Sequence, residues 1–161
     1  MGVKISKEDY VSWAKEVKAT REYLRNGGVD GPIQAIEKDD KIEFGISPPS
    51  NKRTMGLLKT KNKTGILGVI LFDTKSGLQL VDKNGNVKED ENGDPQIQPP
   101  ALGFLHEAAH ANYMREDQEA QLKRENSGPT NGFPNKEEEK VVNEIETPAA
   151  KKLGLPHCED Y

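Results

Sequence analysis

The sequence is poor in cysteine, in aromatic rings and in long apolar runs. Cys158 is the one thiol among 161 residues. No internal disulfide can therefore form, which excludes a disulfide-stapled secreted scaffold and fits a reducing compartment. Aromatic residues make up 6% of the chain and hydrophobic residues 33%, against 31% charged. A large apolar core is not expected, and long solvated loops are. No apolar run approaches the ~18–20 residues that span a bilayer. The first ten residues hold no apolar run, so no secretory signal peptide is predicted there. A strong excess of one charge is also missing. The 23 Lys+Arg and 27 Asp+Glu leave a net charge of −4, which argues against bulk electrostatic capture of nucleic acid. The length suggests one domain over residues 1–161.

What charge there is lies unevenly. Residues 1–65 carry 13 basic and 9 acidic groups, residues 66–114 carry 3 and 7, and residues 115–146 carry 5 and 9. Lys52, Arg53, Lys59, Lys61 and Lys63 fall in a stretch without acids. This reads as a solvated loop or as a basic patch for an acidic partner. No aromatic residue stands inside it for base stacking, so nucleic acid is not favoured as a partner.

Along the chain, Ser6, Glu8 and Asp9 mark a helix start. Tyr10, Trp13, Val17 and Leu24 follow at helical spacing as far as Gly27-Gly28. Asp30-Gly31-Pro32 opens a short helix with Ile33 and Ile36. Ile42, Phe44 and Ile46 alternate as a strand stopped by Pro48-Pro49. Ile66 to Phe72 is a second strand, and Leu78, Leu80 and Val87 flank a hairpin turn at Asp82-Lys83-Asn84-Gly85. Mobile loops are expected at about 48–64, 88–98 and 125–135. A helix is predicted from Ala101 to Lys123 after Pro99-Pro100, and a last, acidic one from Lys136. No internal repeat is apparent. The class is α+β.

The motif that carries chemistry is His106-Glu107-Ala108-Ala109-His110. On a helix, positions i and i+4 share a face, so both imidazoles can reach one Zn²⁺ at ~2.0–2.1 Å. Glu107 then stands beside the open coordination position. There it can take a proton from metal-bound water and return it to a leaving amine. Leu102, Leu105 and Ala109 give the helix an apolar face, and Gly103, Ala108 and Ala111 keep it slim.

A third ligand is needed. The acidic helix offers Glu137, Glu138 and Glu139, with Asn135 as its N-cap. Glu138 sits at the third helical position, where a capping box would use it. Glu139 shares a face with Val142 and Glu146, which makes Glu139 the predicted ligand and Glu146 the runner-up. Thr147-Pro148 can start a further short helix. His157 lies beyond a proline and is a weaker source.

Three blocks together resemble a known family: Pro100 to Ala111 around the motif, Glu138-Glu139 followed by Val142, and Glu146-Thr147-Pro148 through Pro156 with a terminal Tyr161. The chain resembles the zinc metallopeptidase effectors of enteric pathogens typified by the non-LEE-encoded effector D, and the C-terminal domains of Rhs-type polymorphic toxins. The order is also similar to that of clostridial neurotoxin light chains: HExxH, a glutamate pair, then Arg-x-x-Tyr. The resemblance implies a zincin-like fold, with a small, mostly antiparallel sheet packed against the HExxH helix and the acidic helix. It implies a zinc endopeptidase that cleaves a protein in the cytoplasm of a target cell. Delivery would be by a specialised secretion system without a signal peptide, with an immunity or delivery protein as a further partner. It maps the zinc-binding glutamate to Glu139 and an oxyanion-stabilising phenol to Tyr161. Cys158 stands where the family's arginine is expected.

Two readings compete with zinc-dependent hydrolysis. A non-catalytic interaction module could keep zinc as a structural clip, closed by Cys158 or His157 as a fourth ligand. A cysteine peptidase built on Cys158 and His157 lacks an Asn or Asp orienter. Asp82-x-Asn84-Gly85-Asn86 has some flavour of a calcium loop but lacks the twelve-residue pattern, and a hairpin turn explains it better.

Overall fold

The structure is a computed structural model that describes residues 7–39, 43–49, 55–59, 66–75, 77–82 and 84–157. Helix α1, Lys7–Asn26, carries Glu8 and Asp9 in its first turn and buries Trp13 and Leu24. The Trp13 indole N–H donates to the Phe72 carbonyl at 2.8 Å, tying the helix to the sheet. Gly28 ends it with φ +68°, a left-handed turn that a side chain disfavours. The predicted cap Ser6 lies outside the described residues. Helix α2, Gly31–Glu37, has Pro32 in its first turn. Arg21 bridges it to α1, donating to Asp30 at 2.5 Å and to Glu37 at 2.6 Å.

Strands β1 (Glu43–Ser47), β2 (Met55–Lys59) and β3 (Ile66–Phe72) form a sheet in the order β1-β3-β2. β1 pairs with β3 in parallel and β2 with β3 antiparallel, so this sheet is mixed rather than mostly antiparallel. The chain leaving β1 crosses to the far edge of β3, and residues expected to be loop supply that edge as β2. Leu57 and Leu58 are adjacent, so the alternation that announces a half-buried strand is absent there. Leu57 nonetheless packs on the core. Ile42 and most of the basic stretch lie outside the described residues.

Strands β4 (Leu78–Gln79) and β5 (Ile97–Gln98) make a separate antiparallel pair. Between them, the described residues of 81–95 carry two matching turns. Asp82 Oδ1 accepts from the backbone N–H groups of Asn84 and Asn86. Eight positions on, Asp90 Oδ1 accepts from those of Asn92 and Asp94. This is a short internal repeat, against the expectation of none. It also replaces the structureless polar loop expected at 88–98 with hydrogen-bonded turns.

Helix α3, Pro100–Glu116, is the central element, buried along most of its length. Leu102, Leu105, Ala108 and Ala111 join Leu24, Phe72 and Ala150 in the main core, while Ala109 packs with Tyr113 and Val141 on another side. A helix covered all round shows little amphipathic contrast, and its alanines serve packing on several sides. The predicted helix to Lys123 breaks at Asp117. Its extended backbone (φ −158°) and side chain cap α4, Gln118–Glu125, by accepting from the Ala120 N–H at 2.9 Å. The last helical stretch runs through α5 (Lys136–Val141), a π-helical turn (Val142–Glu146) and α6 (Thr147–Leu153). Asn135 caps it as expected, accepting from the Glu138 N–H at 2.9 Å. Among the described residues, no helix is long and apolar enough to cross a membrane.

Candidate metal centre

Helix α3 presents His106 and His110 on one face, and α5 lays Glu138 across them. The two Nε2 atoms are 3.1 Å apart. Glu138 Oε2 lies 3.0 Å from His106 Nε2, and Glu138 Oε1 lies 3.0 Å from His110 Nε2. Two ligand atoms held tetrahedrally at ~2.0–2.1 Å from one ion stand roughly 3.3 Å apart. The observed separations are within a few tenths of an ångström of that spacing. These three side chains could hold a metal ion.

Both histidines are also held from behind. His106 Nδ1 donates to Glu146 Oε2 at 2.5 Å, and His110 Nδ1 donates to Glu137 Oε2 at 2.8 Å. With Nδ1 engaged in this way, Nε2 is the nitrogen of each ring that can bind a metal once it gives up its own proton. The two carboxylates have their own partners. Gln98 Nε2 donates to Glu146 Oε1 at 2.9 Å. Arg124 Nε donates to Glu137 Oε1 at 2.8 Å. Gln121 Nε2 donates to the His110 carbonyl at 2.7 Å.

The electrostatics follow from this crowding of acids around two imidazoles. Burial alone would lower the His106 pKa, but hydrogen bonds to Glu138 and Glu146 outweigh it and carry it up to about 10. In the same way burial opposes, and Glu137 and Glu138 overcome, so that His110 rises to about 9. Glu138 is lowered far below the usual carboxylate range, because the two imidazoles outweigh its partial burial. Glu137 is also lowered: burial pushes it up, and His110 and Arg124 pull it down further. Glu107 goes the other way, raised chiefly by burial.

Glu107 borders two openings. A cavity of about 360 Å³ is lined by the polar side chains of Gln98, His106, Glu107, Glu138 and Glu146 together with apolar residues that include Leu78, Phe133 and Val142. A smaller pocket of about 280 Å³ is lined by Glu107, His110, Glu137 and Glu138, among others. The larger cavity joins the metal-ligand set to an apolar wall and to solvent.

The structure brings together His106, Glu107 and His110 as the motif requires, and it corrects the acid that joins them. Glu139 is not in the cluster. Its Oε1 accepts from Asn131 Nδ2 at 2.7 Å on the outer side of α5. Glu138 takes its place, so its side chain does not close a capping box, although its backbone N–H is capped. The reason lies in the π turn. A π turn holds one residue more than an α turn, so Glu146 is displaced by one position along the face. On a continuous α-helix Glu146 would align with Glu139, seven residues back. With the inserted residue it aligns with Glu138. Glu146, the runner-up ligand, reaches the centre as the partner of His106 Nδ1.

Sequence reasoning missed Glu137, Gln98, Gln121 and Arg124. The run of three glutamates contains two overlapping pairs, and the second member of the first pair is Glu138; that was the available signal. Asp117 was a visible cap that would have turned Gln121 and Arg124 back toward α3. His157 is engaged locally, with Nδ1 3.1 Å from the Leu155 carbonyl, and does not join the cluster. Tyr161 and Cys158 lie outside the described residues. Comparison with family models, with curated proteins and with solved structures finds no match.

Proposed function

We propose that the chain is a zinc-dependent peptide hydrolase of the HExxH type, with His106, His110 and Glu138 as metal ligands and Glu107 as general base. One observation carries this reading. Three ligand side chains converge next to a half-buried glutamate at the floor of an open cavity with an apolar wall. Structural zinc sites are closed by a fourth protein ligand, whereas catalytic sites keep a position open. Among the described residues no fourth ligand joins the three.

A zinc ion bound there would supply a Lewis acid and a water of lowered pKa. The remaining work falls to side chains. Glu107 accepts the proton of the attacking water and returns it to the leaving amine. Glu146 and Glu137 keep both imidazoles in one tautomer. Phe133, Pro134 and Val142 offer an apolar surface for a substrate side chain. The zincin-like arrangement, the protein substrate and the effector role implied by the resemblance belong to the same proposal.

The test compares wild type with Glu107→Gln. The variant should bind metal as wild type does and lose peptide hydrolysis by ~10²–10⁴-fold. Mapping new protein N-termini in cells expressing each form reports the substrate at the same time. Equal cleavage by the two forms would overturn the reading, as would a wild-type protein that binds zinc and creates no new termini.

A further inference from the structure

Each histidine ligand is backed by a carboxylate; Glu146 accepts in turn from Gln98, and Glu137 from Arg124 and, at 3.3 Å, from Gln121. We infer that Gln98 and Arg124 are positioning residues for the two histidine ligands, which they reach through Glu146 and Glu137. This rests on the metal-centre reading above.

The geometry is a pair of three-link relays. Gln98 to Glu146 to His106 runs through contacts of 2.9 and 2.5 Å. Arg124 to Glu137 to His110 runs through contacts of 2.8 and 2.8 Å. Gln98 and both carboxylates are secluded, while the Arg124 side chain is 25% exposed. Gln98 is 2% exposed, Glu146 7% and Glu137 1%. A carboxylate so deeply buried is costly unless it is paired and fully hydrogen-bonded. When His110 holds a metal through a neutral imidazole, Glu137 still needs a countercharge, and Arg124 supplies it. The guanidinium is itself fixed over the Tyr113 ring, 5.6 Å from the centroid. Gln98 has a different task. Its amide is a neutral donor on β5, the strand that also walls the cavity. It holds one oxygen of Glu146, so the other is aimed at His106. The two relays therefore tie the cavity wall and α4 to the two ligands on α3.

Loss of an orienting partner of this kind typically costs 10–100-fold in metal affinity. The test measures zinc affinity by chelator competition, and cobalt(II) absorption spectra, for Gln98→Leu, Arg124→Gln and Arg124→Lys. Gln98→Leu and Arg124→Gln should bind zinc about 10–100-fold more weakly and change the cobalt bands. Arg124→Lys should recover part of the affinity, because it restores the charge. A second measurement needs no variant. In zinc-loaded wild type, nuclear magnetic resonance should detect slowly exchanging Nδ1 protons on both histidines. Wild-type affinity and spectra in Gln98→Leu and Arg124→Gln would overturn the relays and leave the metal centre standing. So would Nδ1 protons lost to fast exchange with water. A wild-type protein that takes up neither zinc nor cobalt would overturn both.

Discussion

Zinc binding to this protein should release about two protons per ion at pH 7. The reason is the charge state of the metal-free site. His106 is carried up to about 10 and His110 to about 9. At pH 7 both imidazoles therefore hold their second proton in nearly every molecule. Zinc needs both Nε2 lone pairs, so both protons must leave. The apparent association constant should climb roughly 100-fold per pH unit until the pH nears the lower of the two values. Two ordinary histidines, titrating near ~6.5, would show that slope only below neutrality. The assay is chelator competition between about pH 6.5 and 8.5, with calorimetry in two buffers of different ionisation enthalpy to count protons. Affinity that is flat above about pH 7, with well under one proton released, would refute the reasoning. The same shifts set the stability of the metal-free chain. Folded-state values above the ordinary imidazole value mean that the contribution is complete below about 6.5 and disappears as the pH rises through about 9 to 10. Glu138, held low, contributes above the usual carboxylate range and loses its contribution in acid. Metal-free protein should therefore melt at a higher temperature near neutrality than above pH 10.

Three further outcomes follow from individual contacts. Glu138→Gln should weaken zinc binding by more than ~100-fold, beyond the cost of losing an orienting group, while Glu139→Gln stays near wild type in the same titration. The reverse ranking would restore Glu139 as ligand. Gly77→Ala would place a Cβ 2.3 Å from Ile97 Cγ2 and 2.9 Å from the Gln98 carbonyl oxygen. It should destabilise the fold by ~1–3 kcal/mol, and an unchanged thermal midpoint would contradict the close packing of β4 on β5. Asp117→Ala removes the cap of α4 and should cost about 1 kcal/mol, read by denaturant unfolding; no change would mean that Asp117 does not set the α3–α4 corner.

The sequence was most legible where a local rule was complete. HExxH with helical context locates His106, Glu107 and His110 because their spacing is itself the geometry. Trp13 and Leu24 at helical spacing, and the Asn135 cap, are local signals of the same kind. What stayed hidden depended on departures from ideal repeats. The π turn at Val142–Glu146 has no mark in the residues, yet it sets which glutamate of α5 shares a face with Glu146. β2 is short and lacks alternation, so its pairing with β3 is visible only through tertiary contact. Gln98 lies in a polar stretch that reads as loop, and its burial against Glu146 is a long-range event.

The central claim is an open metal centre made by His106, His110 and Glu138. X-ray absorption at the zinc edge of the loaded full-length protein tests it most directly. The account predicts two imidazole nitrogens and carboxylate oxygen at ~2.0–2.1 Å, with a further light scatterer from solvent. A sulfur neighbour at ~2.3 Å would place Cys158 on the metal and make the site a closed structural clip. That result would contradict the account.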